Sequence, residues 1–300
     1  MGFLSSSRLV SIIIPSKDEG GNLLKTIAAI KSTTAHRPYE LIVVDDGSGA
    51  DGAAVVKTHP DVRVVRGDGL GVAKARNAGA ARARGEILVF CDAHVFPVQT
   101  EWLGALVQAL RDPSVGLCAP CVVVHGNPDH KGYGLSLAED LSCSWNGRHA
   151  ENVFEVQVIP GGATCVRTEV FRRLGGWCGL MNGWGSDDQE LSLRAWMQGY
   201  RQVVVPHVEI EHIFRSRFPY TVTYEQPALN SLVMGALHFS EKRFIDLLQR
   251  HRTALGDERM NELLKSVAPE VMAERKRLAT TRKYSDDWFF EKFKRSSLPP

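Results

Sequence analysis

Apolar residues fall along this chain in short unbroken runs separated by stretches with helical spacing. The first four runs, at 10–14, 41–44, 62–65 and 87–90, consist of Val, Ile, Leu and Phe, interrupted only by Ser11 and Arg63. A half-exposed strand would alternate apolar and polar residues, so runs of this kind predict parallel strands buried on both faces. Between them, residues 23–30, 53–58 and 73–84 carry the period of helices, and the first 125 residues therefore predict an α/β fold. Open sheets of this type bind ligands beyond the carboxyl ends of their strands. The segments to read for chemistry are accordingly 15–19, 45–48, 66–71 and 92–94.

The second half is less regular. Residues 127–152 mix Gly, His, Ser, Asp and Trp without periodicity and read as long loops or a lid. A strand is predicted over 154–158 and a helix over 168–174, followed by a Gly- and Trp-rich loop to Ser186. A helix over 187–198 follows, with Ser186 and Gln189 in capping-box spacing, and then a strand over 202–205. From 227 onward the pattern is helical and polar, clearest at 228–239 and 241–249. No internal repeat is visible.

Composition narrows the classes of function. Hydrophobic residues make up 44% and charged residues 23%, which excludes disorder, collagen-like repeats or coiled coil as the dominant state. The formal charge of +2 gives no bulk electrostatic case for nucleic acid. Residues 241–300 hold 14 Lys and Arg against 10 Asp and Glu, and read as a solvated helical surface through which an oligomer could form. Six cysteines are too sparse for a disulfide framework, and Cys118-Ala119-Pro120-Cys121 lacks a second ligand pair to complete a zinc site. No run approaches the roughly 20 apolar residues that span a bilayer, so a cytoplasmic protein without an integral membrane segment is expected. Met1-Gly2 with Ser6 fits a myristoylation pattern so short that an ordinary chain start explains it.

Candidate chemistry collects at the strand ends. Asp92 and His94 follow the run 87–90, and in extended backbone their side chains would point the same way, suiting a shared divalent cation with positions open for water and diphosphate oxygens. Asp46 closes a second strand, where a carboxylate accepts hydrogen bonds from a base or ribose, although Asp-Gly-Ser also begins helices. Lys74 and Arg76 open a helix whose N-terminus favours phosphate; a solvated helix face is the plainer alternative. Gly67-Asp68-Gly69-Leu70-Gly71 imitates a dinucleotide fingerprint, but Val72 and Lys74 stand where a third glycine is required.

Several motifs in register carry a family resemblance. Ser11-Ile12-Ile13-Ile14-Pro15 with Glu19 and Asn22, Val43-Val44-Asp45-Asp46-Gly47-Ser48, Ala75-Arg76-Asn77-Ala78-Gly79 and Asp92-x-His94 resemble the GT-A glycosyltransferases of family 2. Pro160-Gly161-Gly162-Ala163, the stretch from Gly183-Trp184-Gly185 through Asp187-Asp188-Gln189-Glu190 to Trp196, and His212-Ile213-Phe214-Arg215 with Pro219-Tyr220 are similar to the polypeptide N-acetylgalactosaminyltransferases. The resemblance covers about residues 8–240. It implies a GT-A domain over 1–240, with a nucleotide-binding half at about 8–125 and an acceptor half at about 126–240, and a helical extension over 241–300.

The same resemblance implies a hexosyltransferase using a UDP-sugar with Mn²⁺ or Mg²⁺. It assigns Asp46 to the uracil, Asp92 to the cation and donor sugar, and His94 and His212 to the cation. Pro15, Glu19, Lys74 and Arg76 fall on the donor side, Gly161 and Gly162 beside the donor sugar, and Trp184 between sugar and acceptor. Asp188 occupies the position of the general base in inverting relatives, where the retaining polypeptide transferases carry an amide. Inversion onto a hydroxyl or thiol of a peptide, natural product or glycan is therefore expected, with Asp188 as base. A retaining transferase of the same fold, or a nucleotide-sugar or glycan-binding protein without catalysis, are the alternatives. No lectin-like domain or membrane anchor is seen in the sequence, and residues 127–152, Trp177 and the loop 213–224 are expected to select the acceptor.

Overall fold

The apolar runs of the first half become the central strands of one sheet. In the computed structural model, which describes residues 8–34, 37–48, 54–55, 57–148, 150–215, 217, 219–223 and 225–296, the chain begins with β1 (Val10–Ser16), α1 (Gly21–Thr33), β2 (Tyr39–Asp46), β3 (Arg63–Gly67), α2 (Val72–Ala80) and β4 (Ile87–Cys91). It continues through β5 (Val95–Pro97), α3 (Trp102–Ala109), β6 (Val115–Val124), β7 (Asn127–Gly132), β8 (Leu135–Leu137), β9 (Cys143–Trp145), β10 (Phe154–Glu155), β11 (Ala163–Arg167) and α4 (Thr168–Leu174). Then come α5 (Asp187–Met197), β12 (Arg201–His212), α6 (Glu225–His238), α7 (Glu241–Leu255), α8 (Asp257–Ala279) and α9 (Asp286–Ser296). Of the predicted helix 53–58, positions 54, 55, 57 and 58 are helical and the others lie outside the described residues, as does the chain start with Gly2 and Ser6.

The strands lie in the order β10-β12-β6-β11-β4-β1-β2-β3, with β5 paired to β12 and β7 to β6. Strands β3, β2, β1 and β4 are mutually parallel; β11 reverses direction between β4 and β6, and β12 runs parallel to β6. Successive residues of the apolar runs serve opposite faces. Ile12 and Ile14 pack with Leu23, Ile27 and Ile30 of α1 and Trp102 of α3, while Ile13 faces Ala73 and Ala75 of α2 with Phe171 and Trp177. Each such side chain is fully buried, which stabilises the fold by about 1.5–3 kcal/mol per large aliphatic residue.

Four expectations differ from what is observed. The helix predicted over 73–84 ends at Ala80, because Gly85 must press its backbone against Ser11 as the chain enters β4. Residues 127–152, expected as loops or a lid, contain β7 and the β8–β9 hairpin. Five of the six β7 residues are exposed, so backbone pairing with β6 rather than an apolar face holds the strand. The strand predicted over 154–158 is ordered as a strand only at Phe154–Glu155, with a single bridge from Val158 to Leu135. The strand predicted over 202–205 runs to His212, passing Pro206 by a register shift between Val205 and Glu209 that spares the ladder the missing N–H.

The C-terminal helices are packed, not appended. Trp196 and Met197 of α5 and Leu232 and Met234 of α6 share one buried cluster with Met260, Val271, Leu278, Phe289 and Phe290, which crosses position 240. Among the described residues no helix is long and apolar enough to cross a membrane.

The contact of α2 with the sheet sets a test. A Cβ on Gly79 would collide with Ile13 Cγ2 and come within 3.0 Å of Val44 Cγ2. Replacing a helix-interior Gly by Ala ordinarily stabilises by roughly 0.5–1 kcal/mol; here Gly79→Ala is expected to destabilise by about 1–3 kcal/mol in urea unfolding. An unchanged or raised midpoint would show that α2 lifts from the sheet at no cost.

Candidate active site

The carboxyl end of β4 meets the end of β12 through β5. Cys91 closes β4, Asp92-Ala93-His94 forms a turn, and β5 then pairs antiparallel with β12, placing Val95 opposite His212. Asp92 and His94 therefore converge through a turn and not through the extended backbone expected from their spacing. Backbone bonds pin the corner, with Ile213 N donating to His94 O at 3.1 Å and Asp92 N to Gly162 O at 3.1 Å. One ligating atom from each of Asp92, His94 and His212 lies within 4.8 Å of the others.

These residues fit a divalent cation. Buried Glu19 lies 3.2 Å from His94 Nδ1, fixing the ring so that Nε2 is left as the ligating nitrogen. Glu19 in turn receives both terminal nitrogens of Arg215, one at 3.0 Å. His212 Nε2 stands 3.5 Å from Asp92 Oδ2, long for a hydrogen bond, and its Nδ1 is buried without a partner among the described residues. One carboxylate oxygen and two imidazoles leave positions open for water and phosphate oxygens, a donor set that suits Mn²⁺.

Opposite this corner, Arg76 gathers the carboxylates. It is 3% exposed, so the solvated helix face considered from sequence does not apply. Its Nη1 donates to Asp187 Oδ2 at 2.6 Å and approaches Asp188 Oδ1 at 3.4 Å, while Nη2 donates to Asp92 Oδ1 at 3.0 Å and Gly161 O at 3.1 Å. The guanidinium lies over the Trp177 ring, 4.3 Å from its centroid. Burial alone would raise the Asp92 pKa, but His212, Arg76 and His94 outweigh it and hold this carboxyl far below the usual range. Asp188 moves the other way: burial first and Asp187 second push its pKa up, against Arg76 and the Gly161 N–H.

The glycines leave room for this arrangement. Gly161 N donates to Asp188 Oδ2 at 2.8 Å, and a Cβ on Gly161 would collide with Asp188 Oδ1. One on Gly162 would stand 3.1 Å from His212 Cδ2 and 3.4 Å from Asp92 Oδ2. The expected capping box at α5 does not form: Ser186 is left-handed at φ 63 and makes no cap bond, while Gln189 Nε2 reaches Cys143 Sγ at 3.5 Å. With its φ positive, Ser186 turns its hydroxyl off the helix start, and Asp187 and Asp188 supply the negative charge there.

A cleft of about 1030 Å³ joins the two groups, opening at the carboxyl ends of β1, β2 and β4. Pro15, Glu19, Asp46 and Trp184 line it with the residues above, and Trp184 is 42% exposed, not a core aromatic. Asp46 is buried, and its two oxygens accept the N–H groups of Leu70 and Gly71 at 2.7 and 2.9 Å, shaping the glycine loop. Lys74 is not on the lining; its Nζ donates to Asn182 Oδ1 at 2.8 Å, because its place on α2 faces the 182 loop. Sequence reasoning missed Asp187 as the closest partner of Arg76. Trp145 and Phe214, within the stretches expected to select the acceptor, meet edge-on at 5.9 Å on the cleft lining, whereas Trp177, expected to act with them, is buried beneath Arg76 and off that lining. Trp145 lay in a stretch without periodicity, and only its aromatic character in a polar context marked it. Of the loop 213–224, residues 216, 218 and 224 lie outside the described residues.

A Rossmann-like half joined through a reversed strand to a second half, with Asp92, His94 and His212 between them, defines a GT-A fold. Comparison with known proteins agrees. The family model "Glycosyl transferase family 2" matches residues 11–175, and "N-terminal domain of galactosyltransferase" matches residues 145–217. The chain belongs to glycosyl transferase family 2. It is 29% identical over 240 residues to human polypeptide N-acetylgalactosaminyltransferase 16, covering 73% of this chain and 43% of that protein. It is 30% identical over 186 residues to the probable N-acetylgalactosaminyltransferase 8 of Caenorhabditis elegans, covering 57% of this chain and 43% of that protein. The chain thus spans less than half the length of these relatives. In fold it is similar to GalNAc-T7 solved with UDP, GalNAc and Mn²⁺ (TM-score 0.71, 20% identity, 96% of this chain and 56% of that one). It is also similar to the mannosyltransferase PcManGT of Pyrobaculum calidifontis solved with GDP-Man and Mn²⁺ (TM-score 0.55, 20% identity, 92% and 86%).

The tie between Glu19 and His94 predicts a measurable effect on metal binding. Glu19→Gln keeps the shape but removes the charge, and should weaken Mn²⁺ about 10- to 100-fold by calorimetry. Unchanged affinity would show that His94 is oriented without Glu19.

Proposed function

We propose that this chain is a glycosyltransferase that moves a sugar from a UDP-sugar to a hydroxyl or thiol acceptor, with a divalent cation and with inversion at the anomeric carbon. One observation carries this reading: the cleft brings Asp92, His94 and His212 together, and Asp188, held by Gly161 N–H, stands beside them on the same Arg76 guanidinium. The names of the relatives and the UDP and Mn²⁺ of the GalNAc-T7 complex support the donor class.

The roles follow from charge and placement. Pro15 and Asp46 form the nucleoside end of the cleft, with Asp46 ordering the loop that follows β3. Asp92, His94 and His212 hold the cation, which when bound neutralises charge on the diphosphate leaving group. Gly161 and Gly162 let backbone approach the sugar, and Trp184 closes the acceptor side. Asp188 takes the acceptor proton as the new bond forms to the anomeric carbon and the bond to the diphosphate oxygen breaks on the opposite face. Its hydrogen bond from Gly161 N fixes one oxygen, leaving the other toward the cleft beside Arg76.

Two measurements test the assignment. Asp92→Ala and His212→Ala should abolish Mn²⁺-dependent UDP release, while Asp188→Asn should keep UDP binding and lose transfer by about 10²–10⁴-fold; Asp188→Asn turning over at the wild-type rate would remove the base. Product NMR should show a β linkage from an α-linked donor, and an α linkage would establish the retaining alternative.

The pH dependence has a definite sign. A base works only unprotonated, and the Asp188 pKa is pushed up by burial and Asp187. Turnover should therefore rise with pH across a range above that of ordinary carboxylates, and Asp188→Asn should flatten the rise; a profile already level from pH 5 upward would contradict it.

A further inference from the structure

The helix that carries Asp188 is held on its other face by residues far from the cleft. Glu190 is 1% exposed and accepts Arg194 Nε at 2.8 Å and Nη2 at 2.7 Å, and His238 Nε2 donates to the same carboxylate at 2.8 Å. Burial would raise the Glu190 pKa, but Arg194 and His238 hold it at about 2. On the far side of the imidazole, Arg282 Nη2 lies 3.3 Å from His238 Nδ1, which can only accept from a guanidinium, so the ring is neutral and its proton sits on Nε2. Burial, with Arg194 and Arg282 nearby, lowers the His238 pKa accordingly. Arg282 also donates to Leu237 O at 3.1 Å and His238 O at 3.3 Å.

This network reaches the reacting groups. Arg194 donates to Leu174 O and, at 2.8 Å, to Gly176 O. The same turn continues into Trp177, whose N–H donates to Asn77 Oδ1 at 2.9 Å and whose ring supports Arg76. The other end of α5 is closed by the C-terminal segment, where the N–H groups of Lys283 and Tyr284 donate to Met197 O at 2.7 and 3.0 Å. The start of α5 has no side-chain cap; Arg76 and Gly161 N–H hold Asp187 and Asp188 on one side, Ser192 and Trp196 bond the β10–β12 region, and Glu190 ties the helix to α6 and the C-terminal segment.

We propose that His238 and Arg282 are positioning residues for transfer, fixing the Asp188 helix through the buried Glu190–Arg194 pair, and that the C-terminal helices are thus part of the catalytic unit. This rests on the reading of Asp188 as the base. A side chain that only added stability would lower the folded fraction and every activity together. A positioning residue lowers turnover while nucleotide binding, made at Asp46 and the cation corner and not by α5, is kept.

The test uses the full chain, a panel of UDP-hexoses with Mn²⁺ and water as acceptor, and UDP affinity by calorimetry. His238→Phe and Arg282→Met should each lower kcat about tenfold while UDP affinity is unchanged. His238→Gln, which keeps a donor for Glu190, and Arg282→Lys should recover most of it. A fall in kcat matched by a fall in UDP affinity, or one that only follows the folded fraction by circular dichroism, would overturn the proposal. Asp188→Asn in the same assay judges the base separately: turnover retained there removes the base, while the brace is still judged by kcat against UDP affinity.

Discussion

The guanidinium of Arg76 is the contact on which the rest of the site depends. It is buried, stacked on Trp177, and shared among Asp92, Asp187, Asp188 and the carbonyl of Gly161. Three carboxylates against one guanidinium leave the cluster net acidic even with Asp188 neutral. A divalent cation beside Asp92 would offset that charge, which is a physical reason for a metal here independent of any family. Removing one partner of such a buried cluster costs about 3–5 kcal/mol, because the remaining charge is left uncompensated. The two aspartates of the proposed mechanism are thereby separated in character: Asp92 is kept ionised by its cationic neighbours, and Asp188 is pressed toward its neutral form by burial and Asp187.

Sheet topology delivers the groups to that point. Strand β4 brings Asp92 to its carboxyl edge, the reversed β11 brings Gly161 and Gly162 to the same edge from the opposite direction, and β5 clips the end of β12 so that His212 stands beside His94. The absent side chain at 161 lets the Asp188 carboxylate lie against backbone. The turn between β4 and β5 and the end of β12 thus carry the candidate cation ligands, and α5 the candidate base, while the aromatic pair Trp145 and Phe214 sits on a hairpin and a loop.

Much of the first half was legible because parallel strands buried on both faces leave an unbroken apolar signature, and the positions of Asp46 and Asp92 at strand ends followed. What was not legible depended on distant partners. Lys74 and Arg76 lie two positions apart on one helix, yet one bonds Asn182 at the surface and the other is buried among partners 16 to 112 positions away. Nothing local in the sequence separates them. Pro206 has no N–H for a ladder, and a register shift between Val205 and Glu209 lets β12 continue past the predicted end to His212. β7 carries no apolar face, so periodicity could not reveal it. The polar average of residues 241–300 hid the spacing of Val271, Leu278, Phe289 and Phe290, which sets those helices against α5 and α6.

The central claim is that this cleft holds a nucleotide-diphosphate sugar through a cation at Asp92, His94 and His212. Its most direct test is slow hydrolysis across a panel of UDP- and GDP-sugars, with Mn²⁺ and with chelator, which needs no knowledge of the acceptor. The account predicts UDP release from at least one UDP-sugar with Mn²⁺ and none with chelator. Release that persists undiminished in chelator, or a Mn²⁺-loaded protein that neither binds UDP nor hydrolyses any UDP-sugar, would contradict it.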